Sequence, residues 1–465
     1  MVFYSRQKIK KENLLMGRLF GTDGARGVAN SELSVELAVN IGRAAAMVLT
    51  DQNSGRHPKI LIGKDTRLSS DMLEGALTAG LCSVGADVIL LGAVPTPTVA
   101  YLVRKYNADA GFMISASHNP FEFNGIKIFS STGYKLPDAL EEEIESIVLD
   151  NSKPYPQPTG SDLGSVTRSE TAVEDYISYI IETVPTRLDG MKIAIDCSNG
   201  SSSVTAEKLF TRLGAECYML SDKPDGININ DNCGSTHTEN LQKFVVENKL
   251  DLGVAFDGDA DRCLAVDENG EMIDGDFIMA ICALDCASRN KLSKNTIVGT
   301  VMSNMGFTKF CKDNNLNFYA ANVGDRYVLE AMLKDGYNLG GEQSGHVIFL
   351  DYATTGDGQL TAAQLLSIIN RRQAKLSSIS TLMIRYPQVL VNVRVTAEGK
   401  KKYSEDEEIR KKIEAVEQEL GEDGRILVRL SGTEPLVRVM LEGLDEAQIN
   451  RLANETADVI RDRIG

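Results

Sequence analysis

Short apolar runs that end in small or acidic residues alternate with helix-length segments along most of this 465-residue chain, and that alternation limits the architectures open to it. KILIGKD, the run over residues 86–91 and GFMI are separated by segments of helical length over 69–84 and 98–106, after a first helix over 34–49 that Ser34 can cap. A strand that feeds a helix and then another strand builds βαβ units around a largely parallel sheet. The rhythm restarts at KIAID (192–196), runs to LGVAFDGDADR (252–262), and restarts again after the turn ENGEMIDG with NTIVGTVM and NFYAA. Three segments with one rhythm, and with KD, ID and FDGD at strand ends, fit duplication of a single unit. The last stretch differs. VLVNVRV, a charged helix over 405–420, the strands GRILVRL and LVRVMLEG and a helix over 447–463 predict a small α+β domain.

The expected fold is therefore three mixed-sheet α/β domains of similar topology plus a smaller C-terminal α+β domain, arranged around a central cleft. The expected boundaries are 16–167, 168–272, 273–383 and 384–465, with 151–164, rich in proline and glycine, as the first connection. Residues 1–15 read as a flexible extension, and Met16 would serve equally well as a start.

Composition narrows the function. With 49 basic against 65 acidic residues and a net charge of -16, the chain offers no general nucleic-acid surface, so any phosphate site must be local. No apolar run approaches the ~20 residues that span a bilayer, and the basic, polar first residues are no secretory signal. The eight cysteines include no CxxC pair and read as reduced residues of a cytoplasmic protein.

Five loops carry the chemistry. In GFMISASHNPFEFNGIKIF (111–129) a buried strand stops at a turn that sets serine hydroxyls beside His118, at the carboxyl end where open α/β sheets bind ligands. Lys127 follows on the next strand, where it either snorkels or points into the crevice. In GRLFGTDGARG (17–27) the three glycines around Asp23 and Arg26, at 21, 24 and 27, let the backbone curl around a bound group, with Arg26 as the basic side chain within that loop. FDGDADR places Asp257, Asp259 and Asp261 straight after a strand; three such charges repel unless a cation neutralises them, and hard oxygen ligands favour Mg²⁺ or Mn²⁺. GGEQSGH (340–346) offers Glu342, Gln343, Ser344 and His346 on a tight loop suited to sugar hydroxyls. RLSGTEPLVR (429–438) sets Ser431 and Thr433 between two arginines, a cradle for phosphate oxygens.

Taken together and in this order, these motifs resemble those of the α-D-phosphohexomutases over essentially everything after residue 15. GEQSGH, SGTEP and VGDRYV (323–328) look like the glucosamine-phosphate branch rather than the phosphomannomutase/phosphoglucomutase branch. The resemblance implies an intramolecular phosphotransferase that interconverts glucosamine 6-phosphate and glucosamine 1-phosphate, through a phosphoserine and a bound 1,6-bisphosphate, for amino-sugar nucleotide and cell-wall precursors. It further implies that Ser117 is the phosphorylated nucleophile, and that Asp257, Asp259 and Asp261 bind one Mg²⁺ together with a phosphoserine oxygen. Arg26, His118 and Lys127 would stabilise the transferring group or move protons, and Glu342 and Ser344 would hold sugar hydroxyls. Arg429, Ser431, Gly432, Thr433 and Arg438 would grip the phosphate that is not reacting. A hexose 1,6-bisphosphate would serve as activator, and a homodimer is compatible with the family. A phosphomannomutase/phosphoglucomutase and a metal-dependent sugar phosphatase are the alternative activities.

Overall fold

In the computed structural model, residues 18–21, 23–50, 56–431 and 435–465 are described. They form two compact units, one running to Met302 and including Leu316–Thr381, the other made of Ser303–Asn315 and Leu382–Gly465.

The first unit holds three sheets. In the first, six strands lie in the order Ala25–Val28, Phe123–Ser130, Ala110–Ile114, Lys59–Lys64, Asp87–Ala93, Val166–Arg168. The expected parallel core is there, since Lys59–Lys64 pairs in parallel with both of its neighbours, but Phe123–Ser130 runs antiparallel to Ala110–Ile114 and to Ala25–Val28. That reversal follows from the short turn after Ile114: a chain that doubles back within a few residues has no room for a crossover helix. The second sheet, Met272–Ile273, Cys263–Asp267, Leu252–Phe256, Lys192–Asp196, Glu216–Leu220, repeats the device, with Leu252–Phe256 antiparallel to Cys263–Asp267 around the FDGDADR turn. The third has four strands, Asn317–Ala321, Thr296–Thr300, Leu339–Gly341 and Val347–Phe349, the last pair antiparallel around the GGEQSGH turn. All three sheets are mixed, and in each an antiparallel return sets one of the motif-bearing turns at a strand end.

The helices start and stop where local chemistry dictates. Val35–Leu49 opens on Ser34, whose hydroxyl accepts from Leu37 N at 3.2 Å. Gly358–Arg372 opens on Asp357, whose carboxylate accepts from Leu360 N and, at 2.8 Å, from the Tyr176 hydroxyl of Ala172–Thr183. Burial pushes Asp357 up to about 6, against the pull of those two hydrogen bonds. A carboxyl raised in the folded state contributes stability that is complete below its unfolded value of about 4 and lost as pH rises through about 6. At roughly 1.4 kcal/mol per unit, ionising it at neutral pH costs on the order of 3 kcal/mol. Asp357→Asn, which keeps an acceptor for both donors, is therefore expected to raise the thermal midpoint at pH 8 and leave it little changed at pH 4, read by melting curves at the two pH values.

In the second unit, Leu436–Gly443 is the central strand, antiparallel to both Gln388–Arg394 and Gly424–Leu430. Glu407–Leu420 and Glu446–Ile464 pack their buried faces, Ile409, Val416, Ile449, Leu452 and Ile460 among them, on one side of this sheet. Amphipathic helices over one face of an antiparallel sheet make the expected α+β unit.

Candidate active site

The sequence leaves two serine hydroxyls in the turn after Ala110–Ile114, and the structure separates them. Ser115 is turned inward: its Oγ accepts from Ser117 N at 2.9 Å and lies 3.4 Å from an Arg67 guanidinium nitrogen. Ser117 Oγ instead donates to Asp257 Oδ2 at 2.6 Å and stands 3.3 Å from His118 Nδ1. The serine turn and the aspartate loop, 140 residues apart in sequence, are thus joined at the hydroxyl itself.

One ligand atom each of the buried Asp257, Asp259 and Asp261 lies within 4.8 Å of the others. Lys127, which emerges on Phe123–Ser130, does not snorkel. Its buried ammonium reaches Asp259 Oδ2 at 2.5 Å and Asp261 Oδ2 at 3.2 Å. Burial alone would lower the Lys127 pKa, but Asp259 and Asp261 outweigh it and hold the side chain charged. The aspartates divide the opposite way. Burial and the other two carboxylates push Asp257 well up, whereas Lys127 keeps Asp259 and Asp261 down against the same burial. Asp259 is also fixed by Thr96, whose hydroxyl donates to Oδ2 at 2.5 Å and whose N–H donates to the Asp259 carbonyl. Its Oδ1 is buried with no hydrogen-bond partner. A clustered carboxylate set with an orphaned oxygen fits a hard divalent cation, because the unmet acceptor and the surplus negative charge have the same remedy.

Cations and imidazoles surround this centre. Burial, reinforced by Arg262 and Arg26, lowers His118 to about 4, so the ring beside Ser117 is neutral at physiological pH. Arg26 sits on Ala25–Val28 with a half-buried guanidinium 3.5 Å from Asp23. Asp23 in turn bonds Lys135 at 2.9 Å, and Lys135 also pairs with Asp325.

The GGEQSGH loop contributes His346, whose Nδ1 stands 3.6 Å from Asp261 and whose Nε2 stands 3.5 Å from Asp325. Burial would lower the His346 pKa, but Asp261 and Asp325 raise it to about 9. Gly356 N–H opposes them by donating to Nε2 at 3.1 Å, a bond that only the neutral ring accepts. Glu342 is half-buried and accepts from Gly324 N at 3.2 Å, while Ser344 is exposed on the same loop.

The second unit carries the last motif. Arg429 and Arg438 are direct cross-strand partners on antiparallel neighbours, and burial together with the Arg438 charge lowers the Arg429 pKa. Like charges held opposite each other suit an anion that neutralises both. The Ser431 carbonyl accepts from Lys400 Nζ at 2.7 Å; Gly432 and Thr433 lie outside the described residues.

Models of the four phosphoglucomutase/phosphomannomutase domains match this chain in order: α/β/α domain I over residues 17–154, domain II over 174–270, domain III over 274–386 and the C-terminal domain over 390–459. The chain belongs to the α-D-phosphohexomutase family. Within that family it is 57% identical to the phosphoglucosamine mutase of Acetivibrio thermocellus, over 97% of this chain and 100% of that protein. It is 56% identical to the phosphoglucosamine mutase of Caldanaerobacter subterraneus over the same shares of both chains.

Among solved phosphohexomutases, a family protein from Burkholderia thailandensis superposes with a TM-score of 0.80 at 25% identity, over 96% of this chain and 98% of that one. The N-acetylphosphoglucosamine mutase of Aspergillus fumigatus, solved with GlcNAc-6P and magnesium, superposes with a TM-score of 0.69 at 17% identity over 96% of both chains. The phosphohexomutase motifs had pointed to Ser117, His118, Lys127 and the three aspartates, which the fold gathers. No motif marks Thr96 or Lys135, which stand in no glycine-rich or acidic stretch; Asp325 lies within VGDRYV with no chemical role apparent from the sequence, and His346 is there one polar group among several.

Proposed function

We propose that this chain is a phosphoglucosamine mutase, interconverting glucosamine 6-phosphate and glucosamine 1-phosphate through a phosphoserine at Ser117 and a 1,6-bisphosphate that stays bound between half-reactions. The observation that carries the reading is Ser117 Oγ, 2.6 Å from one member of a buried carboxylate triad and next to a neutral imidazole. In the first half-reaction the P–Oγ bond of phosphoserine breaks and a P–O1 bond forms on the sugar, while O1 loses a proton and the freed Ser117 Oγ takes one up. His118, neutral at working pH, is a group that can accept the O1 proton. In the second, P–O6 breaks and P–Oγ re-forms, while the Ser117 hydroxyl gives up its proton and O6 takes one.

Phosphoryl transfer asks the protein chiefly for position and charge, which Lys127 and Arg26 supply on the phosphate side. Ser117, Asp257, Asp259 and Asp261 would hold one Mg²⁺. When bound, that cation withdraws charge from the phosphoryl oxygens and neutralises the aspartates. Glu342 and Ser344 would bind sugar hydroxyls, and Arg429, Ser431, Gly432, Thr433 and Arg438 would bind the phosphate that is not transferring. A hexose 1,6-bisphosphate would load the serine.

The product suits amino-sugar nucleotide and cell-wall precursor synthesis. We place the enzyme in the cytoplasm, where its eight cysteines stay reduced. No described helix is long and apolar enough to cross a membrane. Sedimentation of the purified chain distinguishes a homodimer from a monomer.

The deciding assay follows isomer formation from glucosamine 6-phosphate, glucose 1-phosphate and mannose 1-phosphate with Mg²⁺ and a catalytic amount of glucose 1,6-bisphosphate. Turnover should be fastest on the amino sugar. Faster turnover of either neutral sugar overturns the substrate, and free phosphate without isomer overturns the mutase.

A further inference from the structure

We infer that Asn230, with Arg67 beside it, is a positioning residue for transfer at Ser117, a clamp on the backbone carbonyls of the serine turn that fixes where Ser117 Oγ points. The inference rests on Ser117 as the phosphorylated residue and adds groups that touch none of the reacting atoms.

Ser117 has φ 54, in the left-handed region where a side chain is strained. Such a conformation costs on the order of 1 to 3 kcal/mol and persists only where the surroundings over-determine it. Here they do. The Ser117 carbonyl accepts from Asn230 Nδ2 at 2.9 Å and from Arg67 Nη2 at 3.1 Å, and the Asn119 carbonyl accepts from the same two nitrogens at 2.9 and 2.6 Å. Two donors therefore grip two carbonyls that flank His118, while the Ser117 N–H is held separately by Ser115 Oγ.

Each donor is itself aimed. Arg67 is buried against Asp65, with which it pairs directly. The Asn230 amide has its orientation set by Ser198, whose hydroxyl donates to Oδ1 at 2.7 Å and leaves Nδ2 facing the serine turn. Ser198 and Asn230 also sit at positive φ, 58 and 60, and are tied by Asn230 N to the Ser198 carbonyl at 2.9 Å. Ser198 N is anchored in turn on the buried Asp196, at the end of Lys192–Asp196 in the second sheet. The clamp thus reaches from the second sheet to a turn of the first. It also packs on the aspartate loop, because a Cβ at Gly258 would stand 2.6 Å from the Ser117 carbonyl and 3.0 Å from Asn230 Nδ2.

The consequence is kinetic. Rotation of the peptide units around Ser117 would swing Oγ off Asp257, and the turn must keep one pose while the serine gains and loses a charge of about -2. Misplacing a reacting atom by about 1 Å can cost ~100-fold. A clamp that acts on orientation lowers kcat when removed and leaves KM nearly alone, because the sugar-binding groups are elsewhere.

The test compares Asn230→Ala, Asn230→Asp, Arg67→Lys and Ser198→Ala with the wild-type enzyme in the glucosamine 6-phosphate assay, alongside melting curves and intact-mass measurement of phosphoserine occupancy. Asn230→Ala is expected to lose about 30- to 100-fold in kcat with KM within about threefold. Asn230→Asp keeps the shape but turns an oxygen toward two carbonyls, and should fall at least as far. Arg67→Lys, which retains the charge but replaces the guanidinium fork with a single nitrogen, should lower kcat with KM little changed, and an unchanged kcat would remove Arg67 from the clamp. Ser198→Ala removes only the hydroxyl that aims the amide and should lose about 5- to 10-fold, so the clamp remains testable if an Asn230 variant does not fold.

Folded Asn230→Ala and Ser198→Ala enzymes with kcat within about twofold of wild type overturn the clamp, as does a raised KM with unchanged kcat. If the wild type becomes phosphorylated at Ser117 but does not isomerise the sugar, the mutase reading fails instead. The clamp is then judged by the rate of phosphoserine formation from glucose 1,6-bisphosphate: slower in Asn230→Ala supports it, equal overturns it.

Discussion

Ser117→Ala is expected to lower sugar-phosphate interconversion on the order of 10⁴-fold or more, with no phosphoryl group acquired from glucose 1,6-bisphosphate by intact mass. The size follows from chemistry: without Oγ there is no acceptor for the 6-phosphate and no donor for O1, and the remaining charged groups have nothing to stabilise. Ser115→Ala is the informative control. Its hydroxyl holds the Ser117 amide and lies near Arg67, so its loss should loosen the turn and lower kcat while the enzyme still becomes phosphorylated. If Ser115→Ala were the variant that failed to gain phosphate, the assignment of the nucleophile would have to move from Ser117 to Ser115.

Asp257→Asn should separate activity from stability. In the metal-free protein the Asp257 carboxylate is disfavoured by burial and by Asp261 and Asp259. A group pushed up in this way contributes stability at low pH that is lost as pH rises through its folded value, so its charged form is a liability in the metal-free protein. The carboxamide introduced by the substitution can still accept from the Ser117 hydroxyl, and it removes one charge from the cluster. The variant without metal should therefore melt at or above the wild type at pH 7.5.

Metal should reverse that order. Wild-type enzyme stripped by a chelator should gain thermal midpoint as Mg²⁺ is added, since a ligand that binds only the folded state stabilises it by mass action. In Asp257→Asn that gain should be largely lost, and turnover should fall by about 10³-fold or more. Equal Mg²⁺-induced shifts in the two proteins would remove Asp257 from the ligand set. A wild type that turns over fully in excess chelator would remove the metal from the reaction.

Much of this was readable beforehand because it is local. A strand that breaks at SASHNP or FDGDADR has its end marked by small and turn-forming residues, so the chemistry-bearing side chains and the sheets' carboxyl ends could be paired without coordinates. The alternation of strands and helices likewise pointed to three α/β domains and an α+β domain. Mixed sheets were expected, but the alternation did not say which strands return antiparallel, because that depends on how few residues separate two strands and on which edge is free.

Individual pairings were less accessible. Whether Lys127 snorkels or turns inward is undecided by two flanking isoleucines; it is settled by the distant carboxylates of Asp259 and Asp261, because a buried ammonium goes where opposite charge offsets its desolvation. Thr96 and Asn230 stand in no chemical motif, yet one fixes a carboxylate of the triad and the other the carbonyls of the serine turn. The amino-acid order alone determined which groups could react and at which strand ends they emerge, since backbone turns answer to neighbouring residues. Only the packing of one sheet against another decided their charge states and aim, since a buried charge or an amide takes its direction from whatever distant segment is folded against it.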